Sequence, residues 1–260
     1  MFQKKNILIT VKAYPNPSKK YVETVCTAGI DLGENKWIRL YPVPYRDLEI
    51  SKKFKKYDII EAEVEKSSRD HRPESYKINC DSIRPVASID TKKDKKWAQR
   101  KKLILPLVGK SMCDIERLCE EKNVSLGMFK PKRNVEFLWE AVTSEFKEGT
   151  EELYSQLSLF NPQKKILEKI PYIFRYKYFC ENEPDCKGHK QCIIDWEIGE
   201  AYRSWKHKQY KGDEALTLEK IKEKWISQMF ADDRDTYFYV GKQHVFKTFM
   251  VLGVFWPPKG

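Results

Sequence analysis

A chain of 260 residues is long enough for one large domain or two small ones with real cores, and seven Trp, fourteen Tyr and thirteen Phe beside 33% charged residues exclude a disordered chain. Forty-nine Lys and Arg against 38 Asp and Glu leave a net charge of +11, which favours a polyanionic partner such as nucleic acid. No stretch approaches a membrane span or a signal-peptide core, so the expected compartment is the cytoplasm, where the seven Cys serve as thiols or metal ligands and not as a disulfide framework.

Lys5 to Tyr14 reads as a first strand, stopped by Pro15-Asn-Pro-Ser18. Glu23 to Asp31 and Lys36 to Val43 follow as strands around a Gly33-Glu-Asn35 turn. After a short irregular passage, Asp58 to Lys66 and Ser75 to Val86 supply the fourth and fifth. Five strands with an insert after the third is the element order of an OB-like barrel, with SH3-like and PUA-like barrels as alternatives. In the third strand Trp37, Arg39 and Tyr41 alternate with Ile38 and Leu40. One face therefore carries a stripe suited to single-stranded nucleic acid, unless it packs beneath the other half.

The most basic run spans residues 91–102, with Lys96, Trp97 and Arg100 suited either to hold phosphates and stack a base or to form a solvated helix whose Trp packs inward. Gly109-Lys110-Ser111 looks like the end of a phosphate loop, but Ile104 stands where its first glycine belongs, which rules that loop out. Ser111 caps a helix from Met112 to Lys122, in which Cys113 and Cys119 read as core or surface thiols. Asn134 to Val142 is a strand, and residues 150–169 are helical and polar linker.

Pro171 to Cys180 and Gln191 to Ile198 alternate as the arms of a hairpin. Setting Lys177 opposite Asp195 and Arg175 opposite Glu197 brings Cys180 to face Cys192, with Cys186 and His189 in the loop between. Those four residues form a candidate structural zinc site; an iron-sulfur cluster on the three Cys, a Cys180–Cys192 disulfide and an accidental cysteine-rich loop are the competing readings. Asp195 and Glu197 could also serve a metal-dependent nuclease or nucleotide-processing enzyme, although cross-strand ion pairing is the simpler use of two carboxylates facing Lys177 and Arg175. His71 and His244 lie in predicted loops with no Ser or Cys beside them and do not make a catalytic dyad.

Helices over 200–208 and 217–230 and strands at Thr236 to Val240 and Thr248 to Trp256 complete a second half whose element order repeats the first. The expected fold is β-rich α+β: an OB-like barrel over 1–90, a basic helical connector over 91–133, and a second OB-like domain over 134–260 with the Cys/His tip.

Cys26-Thr-Ala-Gly-Ile-Asp31, Trp37-Ile-Arg-Leu-Tyr-Pro42 and Ile194-Asp-Trp-Glu197 resemble the dual OB-containing domain proteins, a prokaryotic family of conflict and defence settings. The resemblance implies a nucleic-acid-associated accessory role beside protein partners in a multi-gene system, with no catalytic residues to carry over. The Cys/His tip has no counterpart in that pattern. From sequence, then, the chain is a non-catalytic module for single-stranded nucleic acid or a nucleotide.

Overall fold

The first strand, β1 (Gln3–Lys12), is buried on both faces and so forces two layers of structure around it. The structure, a computed structural model, describes residues 1–18, 22–92, 94–143, 168–181, 183–242 and 248–260. Along β1, Ile7 and Ile9 point into one core while Leu8 and Val11 point into another, with a bulge between Ile9 and Val11 shifting the register.

The inner core is a closed five-stranded barrel. After β2 (Asn16–Ser18), which pairs with β3 alone, β3 (Val22–Asp31) pairs with β1 and with β4 (Lys36–Val43). A parallel pairing joins β4 to β6 (Ser75–Ile78), β6 pairs with β5 (Asp58–Lys66), and β5 returns to β1, leaving the barrel no open edge. Ile38, Leu40, Ile60, Val64, Phe54 and Ile78 fill it. The strand β7 (Arg84–Ser88) extends β5 on the outside.

The outer face of β1, β3 and β4 is covered by the second half of the chain. Two short helices, α1 (Ala98–Ile104) and α2 (Met112–Lys122), lead to β8 (Leu126–Phe129), which pairs with β12 (Tyr237–Lys242), itself paired with β13 (Phe249–Phe255). Met128, Tyr239, Leu252 and Phe255 from this sheet meet Leu8, Ala28 and Ile30 in one apolar layer. Residues 91–133 are thus more than a helical connector, since β8 is a structural strand of the second half.

A second three-stranded sheet consists of β9 (Glu136–Ala141), β10 (Tyr172–Tyr178) and β11 (His189–Cys192), with β10 in the middle. Isolated bridges at Pro131–Cys180 and Ile193–Val251 link the two sheets, but among the described residues continuous strand pairing does not close them into a second barrel. The helices α3 (Trp196–Ser204) and α4 (Glu214–Lys222), each prolonged by a wider π-type turn, cover the inner face of the second sheet. Their Ile198, Tyr202, Ile221 and Trp225 pack against Phe174, Tyr176 and Phe238. No described helix is long and apolar enough to cross a membrane. The helix expected over 150–169 lies outside the described residues except at its last two positions, and His244 lies outside them altogether.

Candidate metal centre

Four side chains from three elements converge at the tip of the second sheet. Cys113 sits in the first turn of α2, which Ser111 caps by accepting the Asp114 N–H at 3.0 Å. Cys180 follows β10, Cys186 lies in the loop beyond it, and His189 opens β11. Their ligand atoms all fall within 4.8 Å of one another.

The separations among Cys113, Cys180 and His189 match three edges of a tetrahedron, with Cys186 Sγ within 4.8 Å of each. Cys113 Sγ and Cys180 Sγ are 3.8 Å apart, and His189 Nε2 lies 3.4 Å from the first and 3.5 Å from the second. Donors around one zinc ion, with bonds of about 2.3 Å to sulfur and about 2.0 Å to nitrogen, stand about 3.8 Å apart for S–S and about 3.5 Å for S–N. The cysteines are free thiols, far beyond disulfide bonding distance.

The surroundings hold these donors in place. Glu183, in the loop, accepts hydrogen bonds from Ser111 Oγ at 2.8 Å and Arg117 Nη2 at 3.1 Å, which fastens the loop to the start of α2. The Cys180 N–H donates to Cys186 Sγ at 3.4 Å, and Gly188, at φ +87°, makes the backbone reversal before His189. The imidazole stacks on Tyr178 at 5.3 Å, and its Nδ1 faces Glu116 at 3.8 Å, so a carboxylate backs the ring when Nε2 binds a cation.

Crowding shows in the acidities. Burial and the neighbouring Cys180 sulfur push the Cys113 thiol up to about 12, and burial raises Cys180. Cys186 moves the other way: burial opposes ionisation, but the N–H groups of Cys180 and Gly188 outweigh it. Burial lowers His189 and keeps it the neutral imidazole that a metal requires. A divalent cation would relieve the mutual repulsion of the sulfurs and favour their thiolates.

This arrangement corrects the sequence-based ligand set at one position. In the actual register Arg175 pairs with Cys192, Tyr176 with Gln191, Lys177 with Lys190 and Tyr178 with His189. Cys180 therefore does not face Cys192, which lies one strand length from the cluster, and Cys113 supplies the fourth donor. The expected register fails because Asp195-Trp196-Glu197 is not strand: Asp195 caps α3 by accepting the Glu197 N–H at 3.2 Å. The cations of β10 turn instead to β9, where Lys177 pairs with Glu136 at 2.9 Å and Arg175 with Glu140 at 2.6 Å. The helical spacing of Ile198, Ala201 and Tyr202 after an Asp was the signal that could have set the register. Nothing in the local spacing could place Cys113, which folding brings in from 67 residues away.

Asp195 and Glu197 do come together, around Lys56, whose Nζ stands 3.3 Å from a carboxylate oxygen of each. Burial raises Asp195 to about 6 despite that ammonium. The three form an ion triad holding α3 to the barrel, buried at Lys56 and Asp195 and open to solvent at Glu197, with both carboxylates committed to a fixed cation and no third acid from the described residues beside them.

The expected nucleic-acid stripe is dispersed. Arg39 is buried at 3% exposure and spends its guanidinium on the junction between the halves: Nη2 donates to Ser125 O at 3.1 Å, Ser125 Oγ at 3.0 Å and Lys242 O at 3.3 Å. Arg72 joins it, donating to Ser125 Oγ at 3.0 Å and Lys242 O at 2.5 Å, while the Ser125 N–H donates to Glu74 at 2.8 Å. Trp37 packs edge-on to Tyr239, and only Tyr41 stays open, at 47% exposure. In the basic run Trp97 packs on Phe255 and Trp256, and Arg100 lies 3.8 Å over the Tyr57 ring, which leaves Lys96 alone in solvent. Alternation located the face correctly, but it could not reveal that the second half covers it. His71 is exposed in the loop that carries Asp70 and Arg72.

No curated protein matches the chain. Two family models do, end to end: one described as Domain of unknown function (DUF8758) over residues 3–106, the other as Domain of unknown function (DUF8757) over residues 108–260. The first coincides with the barrel and α1, and the second with the half that supplies all four donors of the cluster. Because the second model spans more than half of its length, the chain belongs to the family described as Domain of unknown function (DUF8757).

Proposed function

We propose that this protein is a non-catalytic nucleic-acid-binding module whose second half is locked by one structural zinc ion. The observation that carries this reading is the four-donor cluster of Cys113, Cys180, Cys186 and His189, with ligand atoms within 4.8 Å of one another and the Cys113, Cys180 and His189 donors at tetrahedral separations. Three sulfurs and one imidazole suit zinc, and four protein donors leave no position for water or substrate, the mark of a structural ion. Asp195 and Glu197 supply no nuclease site while Lys56 holds both.

The strand order of the barrel, with its single parallel pair, supports an OB-like assignment, and the bridges between the two later sheets support a second, distorted barrel of the same kind. Nucleic acid is the ligand favoured by the net charge of +11. It binds away from the usual OB face, because the second half occupies the outer side of β3 and β4. The likeness to dual OB-containing domain proteins suggests work beside protein partners in a prokaryotic defence system.

The test combines metal analysis of the purified protein with a binding panel of single- and double-stranded DNA and RNA, run beside a nuclease assay with added divalent ions. One zinc per chain and salt-sensitive binding without cleavage support the proposal. Metal-dependent cleavage, or no binding to any nucleic acid at low salt, overturns it.

A further inference from the structure

The solvent face of the second sheet carries an arrangement that the fold does not need. Lys177 and Lys190 are directly opposite each other on β10 and β11, both exposed, and like charges in that position destabilise a strand pair. Glu136 on β9 neutralises Lys177, but among the described residues no carboxylate pairs with Lys190. The same register sets Phe179 against Gly188, where the ring lies 3.1 Å from the point a Cβ would occupy and still keeps 38% exposure. Phe179 also borders a cavity of about 400 Å³ beside the cluster, with Lys132 on its rim and Glu181 and Cys186 in its wall.

We infer that this face, pinned at its tip by the Cys/His cluster, is where a single-stranded nucleic acid docks. A phosphate bridges the ammonium groups of Lys177 and Lys190, removing the repulsion between them. The next base stacks on the open Phe179 ring with its edge in the cavity, and Lys132 meets the following phosphate. A sheet face joining cations to one exposed aromatic suits a flexible strand whose bases are free, and a duplex offers no such base. This inference rests on the nucleic-acid reading above and adds its location.

The probes are fluorescein-labelled oligothymidylate and oligouridylate of about 16 nucleotides, followed by anisotropy across a salt series with zinc-loaded full-length protein. Phe179→Ala should weaken binding roughly 5- to 150-fold, the loss of one stacked base. Lys177→Gln with Lys190→Gln should weaken it and flatten the slope of log affinity against log salt by about 0.7, the share of the one phosphate they bridge on a single strand. Because Phe179 covers Gly188, Phe179→Leu serves as a second variant that retains the packing, and unchanged zinc content and melting temperature certify each protein. The comparison pair Lys95→Gln, Lys96→Gln lies on the basic run and should leave the affinity near that of the parent. If Phe179→Leu and the 177/190 variant bind like the parent while the 95/96 variant loses affinity, the location is wrong and the nucleic-acid reading stands. A parent that binds neither probe refutes both.

Discussion

Arg39 offers the sharpest test of how the two halves are joined, because the sequence places it on a binding stripe and the structure places it in a buried junction. Each of its three oxygen acceptors keeps another donor when it is removed: Lys242 N–H serves Ser125 O at 2.9 Å, and Arg72 serves Ser125 Oγ and Lys242 O. Arg39→Met, which preserves most of the stem, should therefore cost only about 1.5–3 kcal/mol, the worth of hydrogen bonding to a charged group without an orphaned partner. Arg39→Ala also removes two buried methylenes, Cγ and Cδ, at about 0.8 kcal/mol each, bringing the loss to about 3–4.5 kcal/mol. Combining Arg39→Met with Arg72→Met strips Ser125 Oγ and Lys242 O of both guanidinium donors, and the double variant should lose about 1–3 kcal/mol more than the sum of the singles. Urea unfolding of the four proteins completes the cycle, with oligonucleotide affinity measured on the folded single variants. Additive losses, or weakened binding without weakened stability, would refute the junction.

Cys113→Ser, Cys186→Ser and His189→Ala should each abolish stoichiometric metal, whereas Cys192→Ser should retain it; mass spectrometry under native conditions distinguishes these outcomes. For Asp70, burial would raise the carboxyl, but the Arg72 guanidinium outweighs it and holds the group below its ordinary 3.8. Its contribution is then complete above about that value and is lost as pH falls toward the depressed one, so Asp70→Asn should be less stable at pH 7 and should lose less on acidification; equal slopes in acid titrations followed by fluorescence would rule this out. Gly188→Ala must hold an L side chain at φ +87° against the Phe179 ring, costing about 1–2 kcal/mol in denaturant melts and loosening the metal.

The barrel was legible because its strands alternate cleanly and the punctuation at Pro15 and Gly33 is local chemistry. Three of the four donors were legible for a similar reason, since Cys180, Cys186 and His189 lie within ten residues. Cys113 was not, because its approach depends on how α2 packs against the sheet. Asp195 misled in a specific way: a side chain that accepts the N–H two residues on starts a helix, and assigning it to a strand displaced the whole hairpin register. Trp37 and Arg39 show the remaining limit, since periodicity says which residues share a face and leaves open what lies over it.

The two family models abut at Leu107, yet Leu8, Ala28 and Ile30 from one side and Met128, Tyr239 and Leu252 from the other form a single apolar layer. Either segment separated from the other would carry a bare hydrophobic wall, so the seam between the two models is not a boundary between independent cores. The same seam suits a split protein: fragments ending and beginning there would recognise each other through that wall, with Ser125 as the keyed contact, and could report on whatever brings them together.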